Sequence, residues 1–193
     1  SMSAVPGDPP VPEAAQPPDA AAVEALARFV QAHPRLFVLT GAGISCAAGI
    51  PEYRDREGQW KRPPPVQLRE FVGNPARRGH YWLRSLSGWP RVRAARPTTA
   101  HRALAAWQES GHVHRLVTQN VDGLHQRAGS TGVIDLHGRL DQVVCLGCRA
   151  LRSRDAVQEA LLAGNPGLTP AAAGPGAPTA PDGDADLPDA LAR

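Results

Sequence analysis

The sequence predicts an α/β fold, a parallel sheet with helices on both faces, and three observations lead there. Short apolar runs of strand length stand at 36–40, 113–118 and 133–137. Segments with helical periodicity separate them, the alternation expected of parallel βαβ units. Polar or glycine-rich clusters close each run, and open parallel sheets bind ligands beyond the carboxyl ends of their strands.

The elements follow in order. Asp19 can cap a helix in which Val23, Leu26, Ala27 and Val30 recur at helical spacing, and Pro34 ends it. Leu36-Phe37-Val38-Leu39-Thr40 is a continuous apolar run of the kind expected for a strand buried on both faces. Charges and three successive prolines over 56–65 predict an irregular excursion, with helix resuming over 66–72 and 77–86. Thr99 can cap a further helix whose face carries Ala100, Ala103, Leu104 and Trp107, closed by Gly111. A strand over 113–118, a short helix over 122–128 and a third strand over 133–137 complete the pattern.

Composition narrows the function classes. The 193 residues allow one ordinary domain with unstructured ends. Residues 1–18 and 164–193 are Pro/Ala/Gly-rich, too poor in large apolar side chains to offset the entropy of ordering, so a disordered leader and a flexible insertion are expected there. The net charge of +3 comes from dispersed arginines. This suits a phosphate-bearing ligand and is too diffuse to argue for a nucleic-acid partner. No run is long enough to span a bilayer, and the start lacks a secretory profile, so no membrane role is expected. An odd cysteine count, 3, suits a reducing, cytoplasmic compartment.

Four motifs carry chemistry. In Gly41-Ala42-Gly43-Ile44-Ser45 the glycines permit unusual backbone angles and close approach of a pyrophosphate to a helix N-terminus; the plain alternative is a tight turn. Cys46 stands where a hydride-transferring dinucleotide enzyme would have its third glycine, and the ribose-binding acid some twenty residues on is missing, which disfavours that class. Gly49-Ile50-Pro51-Glu52-Tyr53-Arg54-Asp55 continues as a Pro-stiffened loop in which Arg54 either pairs with phosphate or lies solvated. In Thr118-Gln119-Asn120-Val121-Asp122-Gly123-Leu124-His125, amide and carboxylate groups crowd a strand end. There Asn120 can hold ribose or water, and Asp122 can accept from a carboxamide or cap a helix. His137, followed by Gly138, is the candidate proton acceptor, whereas His101 and His125 read as packing or local hydrogen-bonding residues. Cys145-Leu146-Gly147-Cys148 has the spacing of one zinc knuckle, with a redox dithiol as the alternative.

Together these motifs, in this order, resemble the sirtuin family over about residues 20–163. Gly88-Trp89-Pro90, Asn165-Pro166 and Pro181-Asp182-Gly183-Asp184 further resemble its class II branch, which includes a mitochondrial member linked to ADP-ribosylation and deacylation. The resemblance implies a Rossmann-like domain over 19–142, half of a zinc-binding module over 143–163, and an NAD-dependent protein-lysine deacylase whose partners are acylated lysines. Gly41, Ala42, Gly43 and Ser45 would line the NAD phosphates and ribose, and Tyr53 and Arg54 would come from the cofactor loop. Gln119 and Asn120 would hold the nicotinamide ribose, and Ile44, Gly49, Pro51 and Val121 would also belong to the cofactor site. Ile50 and Asp122 would bind the carboxamide, His137 would be the general base, and Cys145 and Cys148 would hold structural zinc. Family members continue into strands that complete the sheet and carry a second cysteine pair, so this chain alone is expected to bind NAD weakly and turn over poorly. The alternative is an NAD- and zinc-binding interaction module without catalysis.

Overall fold

The computed structural model describes residues 19–52, 59 and 66–167. Helix α1, Ala20–Ala32, starts where the Asp19 carboxylate accepts from the Ala21 N–H at 3.1 Å. Strand β1, Leu36–Thr40, leads into a 3-10 helix, Ala42–Ala48. After α2, Leu68–Gly73, comes α3, Pro75–Ala94, then α4, Thr99–Glu109, and β2, Val113–Thr118. The short α5, Leu124–Arg127, and β3, Ile134–Asp135, precede a hairpin of β4, Gln142–Val144, and β5, Leu151–Ser153, and finally α6, Arg154–Gly164. Among the described residues no helix is long and apolar enough to cross a membrane.

The sheet is parallel, in the order β1-β2-β3. Leu39, Val117 and Ile134 share one row and therefore one face; Thr40, Thr118 and Asp135 share the next row on the opposite face. Ile50, Ala95 and Leu124 pack together as a core cluster, and Leu116 on the central strand is fully buried. The expectation that β1 is buried on both faces does not hold among the described residues. Phe37 and Leu39 are 67% and 55% exposed, and α1 buries none of its residues. β1 is an edge strand here, and the described elements leave the Phe37/Leu39 face uncovered.

Three boundaries differ from the sequence reading. The third strand contracts to Ile134–Asp135, because only those residues find ladder partners on β2. The cap of α4 is Thr98 rather than Thr99: Thr98 Oγ1 accepts from the His101 N–H, and His101 Nδ1 accepts in return from the Thr98 N–H. Helix α3 runs through Pro90 to Ala94 instead of stopping near residue 86. A proline there removes the N–H that would bond the Leu86 carbonyl four residues back. Gln158 Nε2 of α6 donates to that carbonyl at 2.9 Å, which satisfies it and ties α6 to α3. The same joint buries Arg154, whose guanidinium lies 5.6 Å from the Trp82 ring centre and 5.4 Å from that of Trp89. Trp89 Nε1 donates to Asp155 at 2.8 Å.

Candidate functional site

Strands β1 and β2 end side by side. Thr40 and Thr118 are in register, and the Gln119 N–H continues the ladder by donating to the Thr40 carbonyl at 3.0 Å. The chain then leaves β1 through extended Gly41 into the 3-10 helix, which Gly49 closes in the left-handed region at φ 80°. Among the described residues nothing lies within 4 Å of the place a Gly41 Cβ would occupy, which leaves the backbone there open to a ligand.

This elbow and the amide-acid cluster are tied into one unit. Ser45, fully buried, donates to Asp122 Oδ2 at 2.7 Å. Asn120 Nδ2 donates to Ser45 Oγ at 3.1 Å and to the Gly41 carbonyl at 3.0 Å. Asp122 Oδ1 accepts from the Leu124 N–H, the first of α5, at 2.8 Å, although the N-cap position of that helix is Gly123 and not Asp122. Asp122 is 8% exposed, and these bonds give each of its buried oxygens a donor. Ile50 is buried against Leu124 and Ala95, with its N–H on the Ser45 carbonyl. Gly43 is exposed, beside the Glu52 carboxylate; Pro51 is half-buried. The Val121 carbonyl accepts from the Leu140 N–H at 2.8 Å.

His137 stands just past β3, where the Leu136 N–H donates to the Thr118 carbonyl. Its ring is exposed, and Nδ1 lies 2.9 Å from the Gln119 carbonyl oxygen. A carbonyl only accepts, so Nδ1 carries a proton, and in the neutral ring the lone pair is on Nε2. Gly138, at φ 79°, turns the chain away immediately after the ring. Tyr53 and Arg54 lie outside the described residues.

Cys145 and Cys148 occupy the turn of the β4–β5 hairpin, with both thiols exposed. The turn is closed by the Arg149 N–H on the Cys145 carbonyl and by Arg149 itself in the left-handed region at φ 62°. Hydrogen bonds from the backbone of Cys148 and Gly147, and from the Cys148 side chain, hold the Cys145 thiol below its ordinary value. Among the described residues, no cluster of three or more His, Cys, Asp or Glu side chains is placed to hold a metal.

Sequence reasoning left unassigned the polar layer behind the elbow. Thr40, Thr118, His125, His101 and Thr98 form it, with His101 and His125 buried as expected but joined to the site's frame. The available signal was the threonine ending both apolar runs, whose pairing only strand register reveals.

The Sir2 family model matches residues 41–173. An NAD-dependent protein deacetylase of Xanthomonas campestris pv. campestris (strain 8004) is 54% identical over 163 residues, 84% of this chain and 54% of that protein. One of Bordetella bronchiseptica is 51% identical over 165 residues, 86% of this chain and 59% of that protein. Among solved structures, a Sir2 homologue mutant in complex with ADP-ribose matches at 36% identity and TM-score 0.56, covering 67% of this chain and 52% of its own. A Sir2 mutant with a p53 peptide and NAD matches at 31% identity and TM-score 0.58, covering 72% and 54%. The chain thus spans about half the length of the relatives it matches. With its elbow, its amide-acid cluster and most of its length inside the matched region, the chain belongs to the Sir2 family.

Proposed function

We propose that this chain carries the NAD-gripping and base-bearing part of an NAD-dependent protein-lysine deacylase of the class II branch, acting on acylated lysine side chains. The observation that carries the reading is the Gly41–Asn120–Ser45–Asp122 knot at the strand ends. Its donor set fits a dinucleotide: an open glycine backbone for phosphate, an amide for ribose and a buried carboxylate for a carboxamide N–H. When bound, NAD would supply a ribose C1′ from which nicotinamide departs as the acyl-lysine carbonyl oxygen attacks, and a ribose hydroxyl that captures the resulting imidate, with one water consumed to release free lysine and O-acyl-ADP-ribose.

The chain's own residues divide the remaining work. Each Asp122 oxygen already holds one donor and keeps a second lone pair, so the carboxylate can accept the carboxamide without losing Ser45 or the Leu124 N–H. Asn120 spends Nδ2 on the elbow, and Oδ1 is the atom offered to a ribose hydroxyl. His137 takes the proton from the attacking ribose hydroxyl on Nε2, while the Gln119 carbonyl fixes its tautomer. Cys145 and Cys148, together on one hairpin turn with a thiol held toward thiolate, fit two of the four positions of a structural zinc site.

Calorimetry with NAD tests the reading. One binding site is expected, lost in Asp122→Ala and retained in His137→Ala. No heat at about millimolar NAD, the affinity of only about −4 kcal/mol, would overturn it.

A further inference from the structure

The proposed chemistry leaves two buried imidazoles unused. His101 and His125 are 0% and 1% exposed, with ring centres 4.6 Å apart and planes tilted by 57°. His125 Nε2 lies 2.9 Å from Thr40 Oγ1, which donates to Thr118 Oγ1 at 2.9 Å; the Asn120 N–H donates to that same Thr118 oxygen at 3.0 Å. On the other side, the Thr98 N–H donates to His101 Nδ1 at 3.2 Å, with the Thr98 hydroxyl 2.7 Å from the same nitrogen. That hydroxyl also reaches the Ile44 carbonyl in the elbow at 3.2 Å. The layer therefore touches the elbow at one end and the amide-acid strand end at the other.

The hydrogen bonds fix where the protons are. A backbone N–H only donates, so His101 Nδ1 is bare and its proton rides on Nε2. With the Thr40 hydroxyl spent on Thr118, His125 donates from Nε2 and leaves Nδ1 bare. Among the described residues, His101 Nε2 and His125 Nδ1 are the ring nitrogens that lie buried without a hydrogen-bond partner. They are a donor and an acceptor, on adjoining rings, and native interiors seldom keep such groups without a use.

We propose that His101 and His125 form a neutral imidazole dyad, both protonated at Nε2, that positions the glycine elbow and Asp122 from behind. This rests on the reading of the elbow and Asp122 as the NAD site. Neither ring touches a reactant, so both are positioning residues. The charged groups acting on the pair are Asp122, which favours protonation of both rings, and Arg102, which opposes it at His101. Burial outweighs Asp122 and holds both rings below the ordinary histidine value. Neutrality matters because a cation behind Asp122 would compete with Ser45 and the Leu124 N–H for the carboxylate. A neutral pair supports the elbow without drawing Asp122 away from it.

The test begins with long-range 1H–15N correlation on the chain labelled at histidine nitrogen. Both rings are expected as neutral Nε2–H tautomers at neutral pH; an Nδ1–H tautomer or a charged ring at either position overturns the proposal. A second arm uses atom-matched variants. His125→Gln keeps a polar atom near the Nε2 position and His101→Asn keeps one near Nδ1, so the Ser45 and Leu124 amide resonances should hold and NAD affinity should stay within about threefold. His125→Asn and His101→Gln move those atoms, and should shift both resonances and weaken NAD at least about tenfold. A merely space-filling role predicts no such crossed preference, and finding none overturns the proposal. Where a variant does not fold, the tautomers of the unsubstituted chain decide. If that chain binds no NAD, the proposed function falls, whereas tautomers and amide resonances still judge the dyad.

Discussion

Acidification should destabilise this fold through His125, and the size and sign of the effect can be worked out. Burial first, and the neighbouring His101 second, push its pKa from 6.5 down to about 4, with Asp122 pulling the other way. Above the ordinary value neither the folded nor the unfolded chain holds this proton, so His125 makes no difference there. Between the two values the unfolded chain binds the proton and the folded chain refuses it, so stability falls as pH falls through that window. The slope approaches about 1.4 kcal/mol per pH unit, giving a loss of about 2 kcal/mol by about pH 5 and about 3 kcal/mol below the folded value. His101, also held low by burial, adds in the same direction. Urea unfolding of the chain and of His125→Gln, at a series of pH values between about 8 and about 4.5, isolates the contribution, because the other titrating groups are common to both proteins. The unsubstituted chain should lose about 2 kcal/mol more than the variant between about pH 7 and about pH 5. Parallel curves would refute the reasoning, as would a His125 ring that titrates near its ordinary value in the folded state.

Other perturbations probe separate parts of the molecule. On the proposed function, the low turnover expected of this chain, read as nicotinamide release with an acetyl-lysine peptide, should fall by at least about 10²-fold in His137→Ala with NAD affinity unchanged by calorimetry; an unaffected rate removes His137 as the base. Gln158→Leu should cost about 1–3 kcal/mol by stranding the Leu86 carbonyl, and much less in a Pro90→Ala background where the helical N–H returns. Equal costs in both backgrounds, from urea unfolding, would break that link. Titration with cobalt(II) should produce thiolate-to-metal absorption that is lost in Cys145→Ser and in Cys148→Ser, and identical spectra in all three proteins would remove the metal assignment.

The candidate site was more legible than its surroundings. Gly41, Gly43 and Gly49 announce a tight, open turn through their backbone freedom, and the Asn120/Asp122 pair announces a polar strand end; the structure joins them through Ser45. The role of Ser45 was not legible in the same detail. It was expected to line phosphate and ribose; that its hydroxyl also donates to Asp122 in the buried interior is a contact only the fold brings. The Thr40–His125 contact spans 85 residues and has no local signal. Nor does the sequence of α3 by itself say that Pro90 is tolerated, since the group that replaces its missing hydrogen bond lies 72 residues from Leu86.

Local physics settled from sequence what depends on near neighbours: strands β1 and β2 within their bounds, the Asp19 cap, the glycine elbow and the cysteine turn. Those features follow from side-chain periodicity, backbone angles and short-range caps, all of which the order of residues contains. Tertiary structure alone decided which face of β1 is covered, how short β3 becomes, which partners the rings of His101, His125 and His137 find, and which donors hold the Asp122 carboxylate. Each of these depends on burial and on hydrogen-bond partners brought from distant parts of the chain, and those exist only once the chain has folded.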